Sequence, residues 1–228
     1  MDRVTKSYIL PDAFSSVPKL LNYIHLGSLR NYGKGEIILQ PDEIIGRIIF
    51  VLSGRFIASR ITDDGREIFV SSGGPHSVIN RLFEFEGDNV QIVAVEASKV
   101  CFFSEDQMLM IFKHDEKIIS DFLFNENLKL NYFIKLSCEL KLYAPSIRVL
   151  RLFYGLYNLN GKSKDTYWEI QIALPNKVIA EITGLHHVTV SKILGSLKEK
   201  KILRKKKNAI IIYDLEKLKD LVDKGISY

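Results

Sequence analysis

Pro175-Asn176-Lys177-Val178-Ile179-Ala180-Glu181-Ile182-Thr183-Gly184-Leu185-His186-His187-Val188-Thr189-Val190-Ser191-Lys192-Ile193-Leu194 reads as two short helices joined by a tight turn. Val178, Ile179 and Ile182 supply the apolar face of the first helix, and Ala180 is small where a second helix must approach closely. Gly184 permits the left-handed turn that an L-residue resists, and Leu185 can plug the junction. The second helix is predicted over His186–Glu199, with Val190, Ile193, Leu194 and Leu197 inward and His187, Val188, Ser191 and Lys192 outward.

Downstream, Ile202-Leu203 leads into the basic turn Lys205-Lys206-Lys207-Asn208 and a return strand, Ala209-Ile210-Ile211-Ile212-Tyr213. Helix, turn, helix and β-wing therefore occur in order. The formal net charge is +5, yet Pro175–Asn208 alone carries nine Lys/Arg against Glu181 and Glu199, so the remaining chain is slightly acidic. A cationic end on a near-neutral body points to a polyanion, and the outward polar helix face beside a basic wing points to DNA.

Upstream, the period is different. From about Leu20 to Phe103, apolar stretches such as Arg47-Ile48-Ile49-Phe50-Val51-Leu52, Ile68-Phe69-Val70 and Gln91-Ile92-Val93-Ala94-Val95 recur between turn signals, among them Asp63-Asp64-Gly65, Ser72-Gly73-Gly74-Pro75 and Glu86-Gly87-Asp88-Asn89. Many short strands predict a sandwich or barrel. Ser104 with Gln107 is a capping-box start, with Glu105 and Asp106 in the first turn. No Gly or Pro then occurs until Pro145, which allows one helix of about 40 residues and about 60 Å. On it, Ile118, Phe122, Asn125, Lys129, Tyr132 and Leu136 follow steps of four and three, with Ile119, Leu123, Leu130, Phe133 and Leu140 alongside. Such a seam calls for a second copy packed as a coiled coil. Tyr143-Ala144-Pro145-Ser146 reads as a hinge before a helix over Ile147–Asn158. A strand is expected at Tyr167–Leu174.

The division expected is a sensing β-domain over 1–105, a dimerisation helix over 106–142 and a DNA-binding domain over 143–228, giving an α+β chain. A start without an apolar core behind a basic end, and no apolar run near the roughly 18 residues of a spanning helix, predict a cytoplasmic protein without membrane contact. Cys101 lies in the apolar run Val100-Cys101-Phe102-Phe103 and reads as a small buried hydrophobe. Cys138 has no base or metal partner in sequence. Two cysteines cannot hold an iron–sulfur cluster. No nucleophile elbow, metal-ligand cluster or catalytic carboxylate pair stands in a recognisable setting, so no enzyme activity is expected.

The stretch Asn176–Leu194 resembles the signature of the cyclic AMP receptor protein/FNR family, and the β-domain, long helix and hinge follow in that family's order. Tyr143–Tyr154 and Gly184–Ser191 are most similar to its halophenol-responsive branch, the activators of reductive dehalogenation genes in anaerobes. The resemblance implies a jelly-roll β-domain of the cyclic-nucleotide-binding kind, a homodimer and a recognition helix in the major groove of a palindromic promoter site. For an activator it also implies RNA polymerase as a partner. His186, His187, Val188, Thr189, Ser191 and Lys192 are the candidate contacts, with Lys205, Lys206 and Lys207 on phosphates. Val188 stands where many members carry a glutamate that accepts from cytosine; a valine can only pack on a thymine methyl, which predicts an A/T-rich site.

Nucleotide-binding members carry Gly-Glu and Arg-Ser where this chain has Val78-Ile79 and Asp88-Asn89-Val90-Gln91, so cyclic AMP is not expected. His76 alone offers haem no second ligand. A small organic effector remains, held by Arg81 at the roll's short helix, Lys129, Phe83, Val70 and Asn125. Lys129 occupies the place of the halophenol branch's pocket lysine, where a cation would favour an ionised phenol. Val70, Ser71 and Glu126 replace tyrosines of that branch and imply a different effector. A constitutive reader or repressor with a vestigial roll, and a haem or redox sensor, stay open as alternatives.

Overall fold

The computed structural model describes residues 16–83 and 89–224. The N-terminal arm and most of the turn expected at Glu86–Asn89 lie outside them. Contacts divide the described chain into two compact units, 16–131 and 132–224.

The first unit is built on two four-stranded antiparallel sheets, β1-β8-β3-β6 and β2-β7-β4-β5. The first sheet comprises β1 (Ser28–Tyr32), β3 (Arg47–Ser53), β6 (Val78–Arg81) and β8 (Ser98–Ser104). The second comprises β2 (Ile37–Leu39), β4 (Phe56–Ile61), β5 (Glu67–Gly73) and β7 (Val90–Ala94). β3 and β8 show why the sequence gives unbroken apolar runs rather than an alternating pattern. Ile49, Val51, Val100 and Phe102 enter the core between the sheets. Ile48, Phe50, Cys101 and Phe103 point the other way, into a second core shared with helices. Both faces of these strands are buried, so the period of two persists without polar residues to mark it.

The expected start of β-structure at Leu20 is corrected. Pro18–Leu26 forms a 3-10 helix with Pro at its start. Leu20 is buried, and Tyr23 and Ile24 pack on the same core. The single helix of about 40 residues is also corrected. α1 (Glu105–His114) opens with both reciprocal bonds of the capping box, Gln107 N–H to Ser104 and Ser104 N–H to the Gln107 side chain. It stops at Asp115, whose backbone is not helical. Asp115 Oδ1 accepts from the Lys117 amide at 3.1 Å, so an aspartate N-cap starts α2 (Glu116–Leu142) afresh. α2 is 27 residues long, about 40 Å.

The two apolar rows of α2 differ in burial. Ile118, Phe122, Asn125 and Tyr132 are buried against their own chain. In the neighbouring row Leu123 is 64%, Leu130 58%, Phe133 38% and Leu140 45% exposed, and Ile134 next to it is 52% exposed.

The second unit contains the last turns of α2, α3 (Pro145–Asn160), α4 (Asn176–Thr183), α5 (His187–Glu199) and α6 (Leu215–Lys224). A four-stranded antiparallel sheet, β11-β12-β10-β9, completes it. Its strands are β9 (Gly161–Ser163), β10 (Trp168–Gln171), β11 (Leu203–Lys205) and β12 (Ala209–Ile212). β10 is shorter than the Tyr167–Leu174 strand expected. Every residue of β12 is buried, which anchors the wing. Val149, Leu150, Leu152, Phe153 and Leu156 of α3 are buried at helical spacing.

Candidate DNA-reading surface and sensor residues

α4 and α5 meet at Gly184, whose φ of 62° and ψ of 40° are left-handed. Its amide and that of Leu185 close α4 on the Ala180 and Glu181 carbonyls, an αL termination. The left-handed backbone is what demands glycine; a Cβ on Gly184 would also lie 2.6 Å from Leu140 Cδ2, a contact that a shift of the leucine side chain can relieve.

α5 begins one residue later than expected, because His186 is its N-cap. The His186 Nδ1 accepts from the Val188 amide at 3.4 Å, and its ring lies 4.2 Å from that of His187. Val190 and Leu197 are buried inward, while His187, Val188 (45% exposed), Ser191 and Lys192 face outward; Thr189 is half-buried. The wing turn closes through Lys206 N–H to the Ala209 carbonyl at 2.7 Å. Lys206 and Lys207 are exposed there, and Lys205 is half-buried at the end of β11. The outward face of α5 and the basic wing lie in one compact unit. Sequence reading missed Asn176: its side-chain amide donates to Ser191 Oγ at 3.0 Å, tying the first residue of α4 to the reading face.

In the roll, Lys129 reaches from α2 to β6. Its Nζ donates to the Val78 carbonyl at 3.2 Å and pairs with Glu126 Oε1 at 2.8 Å. Asn125 Nδ2 donates to the Ser16 carbonyl at 3.1 Å and to the Asp121 carbonyl at 2.8 Å, and Ser16 bridges to Ser77. Both side chains therefore stitch α2 to the start of β6. Arg81 is corrected from a short helix to the last residue of that strand, where it is buried opposite Arg47. Three residues of strand, about 10 Å, separate it from Val78. Val70 is the extra residue of a β-bulge in β5, between Phe69 paired with Ser59 and Ser71 paired with Ala58. Phe83 is 72% exposed and does not join the buried group.

The Gly73–Ser77 stretch is a structural turn. Ser77 N–H donates to the Gly74 carbonyl, and a Cβ on Gly73 would collide with the Phe56 ring. His76 takes a left-handed conformation there and stacks on Phe50 at 6.3 Å. Val78, where a nucleotide-binding member carries glycine, is buried in the core. Cys101 is fully buried, and burial pushes its thiol pKa up to about 11. Among the described residues no group of His, Cys, Asp and Glu is arranged to hold a metal, and no helix is long and apolar enough to cross a membrane.

A two-sheet roll, a long helix and a winged helix-turn-helix define a DNA-binding regulator with an attached sensor domain. The chain belongs to the cyclic AMP receptor protein/FNR family of transcription regulators. Residues 148–221 match the Crp-like helix-turn-helix domain and 29–115 the cyclic nucleotide-binding domain. A cysteine-to-serine variant of CprK, solved complexed with OCPA, is 40% identical with a TM-score of 0.89, over 93% of this chain and 97% of that one. Oxidized CprK in complex with o-chlorophenolacetic acid is 40% identical with a TM-score of 0.56, over 94% of this chain and 91% of that one. The HTH-type transcriptional regulator ArcR of Staphylococcus epidermidis is 24% identical over 198 residues, 82% of this chain and 83% of its own.

Proposed function

We propose that this chain is a homodimeric transcription activator that reads a palindromic A/T-rich promoter through α5 and is switched by a small organic effector in the roll. The observation that carries the reading is the exposed face of His187, Val188, Ser191 and Lys192 beside the basic wing. Val188 meets a thymine methyl, Lys192 and Ser191 donate to base edges or phosphates, and Thr189 supports the helix from its half-buried place. His186 contributes through its cap on the helix start. Lys205, Lys206 and Lys207 neutralise phosphates and confer salt dependence rather than sequence choice. The exposed residues Leu123, Leu130, Ile134 and Leu140 would suit a second α2, and their exposure supports a dimer contact along them rather than along the buried row. The bound dimer would recruit RNA polymerase in the cytoplasm.

The effector reading rests on Lys129 and Arg81 near β6, on the bulge that re-aims Val70, and on CprK, which was solved with o-chlorophenolacetic acid. Effector binding must favour the DNA-competent state, as any population shift requires. The Lys129–Glu126 pair also supports a second reading. Glu126 already supplies an anion to the lysine, as an internal substitute for an effector would, which fits a constitutive reader.

A DNA titration over a range of salt concentrations, with and without a panel of halogenated phenols and aryl acetates, tests both. A palindrome with A·T at the Val188 contact should bind best, Val188→Glu should move the preference to G·C, and Lys206→Gln should lower the salt slope by about one. Tight binding unmoved by every compound selects the constitutive reading. An unchanged site preference in Val188→Glu removes that residue's assignment.

A further inference from the structure

The second unit holds a cavity of about 310 Å³, lined by none of the outward residues of α5, among the last turns of α2, α3, α4 and α6. That volume is at the lower end for small-molecule sites. Its walls are divided in chemistry. Leu136, Leu152, Ile182 and Val222 form an apolar side. Lys135, Arg148 and Arg151 face a single carboxylate, Glu139.

That carboxylate is already committed. Both Glu139 oxygens accept from Arg151 Nε at 2.9 Å, and the Arg151 guanidinium lies over the Tyr143 ring, 4.2 Å from its centre. Arg148 is left short. Its Nε is shut off from solvent and has no hydrogen-bond partner, although Glu139 lies near enough to attract its charge. Burial pulls the guanidinium pKa below its ordinary value, and Glu139 opposes that pull. A buried donor left unmade is costly, and a guanidinium binds carboxylates best, through charge-assisted bonds. The cavity thus lacks an anion on one side and an apolar body on the other.

We propose that this cavity is a binding site for a small organic monocarboxylate with an apolar body, its carboxylate on Arg148 and Lys135 and its body against Leu136, Leu152, Ile182 and Val222. An inorganic anion would leave the apolar side uncovered, and a neutral apolar compound would leave Arg148 unmet. An occupant would touch α2 and Ile182 of α4 at once, and so would hold the first helix of the DNA reader against the end of α2.

Calorimetric titration of the full chain with 1-naphthoate, and with 1-naphthalenemethanol as its neutral counterpart, tests the site. The expected result is one naphthoate per chain, at least about tenfold weaker in Arg148→Gln and unchanged in the roll variant Lys129→Met. The alcohol should bind at least about tenfold more weakly than the acid. Lys135→Gln, at an exposed side chain that cannot unfold the unit, should weaken naphthoate several-fold, and Leu136→Trp should fill the cavity and abolish binding. These two decide the matter if Arg148→Gln does not fold. No naphthoate binding at millimolar concentration, equal binding of the alcohol, or loss of binding in Lys129→Met alone would each overturn the proposal.

Discussion

The Asn176 side-chain amide donates to the Ser191 hydroxyl at 3.0 Å, across the two helices of the DNA reader. A hydroxyl that accepts from one side offers its own hydrogen outward. Ser191 is therefore set as a donor, suited to thymine O4, purine N7 or a phosphate oxygen. Asn176→Ala should lower affinity for the preferred DNA site several-fold while leaving the denaturation midpoint nearly unchanged, because the bond is exposed. An anisotropy titration beside a denaturant melt measures both, and Asn176→Asp should not restore binding, since it adds an acceptor and a negative charge.

Lys129 is held by Glu126 at 2.8 Å, so any anionic effector must compete with a carboxylate of the same helix. Glu126→Gln removes that competitor. Binding of halogenated phenolates should strengthen by about tenfold, and the gain should shrink as the pH falls below the phenol's own pKa. Effector titrations at two pH values decide this; equal affinities in both proteins would place the effector away from Lys129.

Gly184→Ala must put a side chain on a left-handed backbone and against Leu140. The expected loss is at least about 1–2 kcal/mol, read from urea unfolding of the second unit's sole tryptophan, Trp168. The roll should be unaffected in its own transition.

Cys101 and Cys138 should differ sharply towards alkylating agents. Cys138 is exposed; Cys101 is buried and its pKa is raised from the usual value near 9 to about 11. In the native protein at pH 8, iodoacetamide should label Cys138 alone by mass spectrometry. A raised thiol pKa means the unfolded state ionises first. Its contribution to stability is therefore complete below pH 9 and is lost between about pH 9 and 11. Cys101→Ala should flatten that part of the stability profile.

The elements that local chemistry controls were legible in the sequence. Ser104 and Gln107 announced the start of α1, Gly184 the turn between α4 and α5, and Lys205–Asn208 the wing, because capping, left-handed turns and tight loops are settled within a few residues. Asp115 was an available signal that the absence of Gly and Pro concealed. The 3-10 helix at Pro18–Leu26 was lost among apolar residues that suit either period. Asn176 carried no cue beyond its place at a helix start, since its partner lies fifteen residues on.

By itself, then, the chain's order of residues determined a β-roll, a long helix and a winged helix-turn-helix, since periodicity and turn chemistry are local. Only the tertiary structure decided which apolar row of α2 is spent on its own chain, that Lys129 is bound by Glu126 and the Val78 carbonyl, and that Arg148 faces a cavity. Those outcomes depend on what packs against a side chain from far along the sequence, and two adjacent helix faces of similar hydrophobicity look alike until one of them is covered.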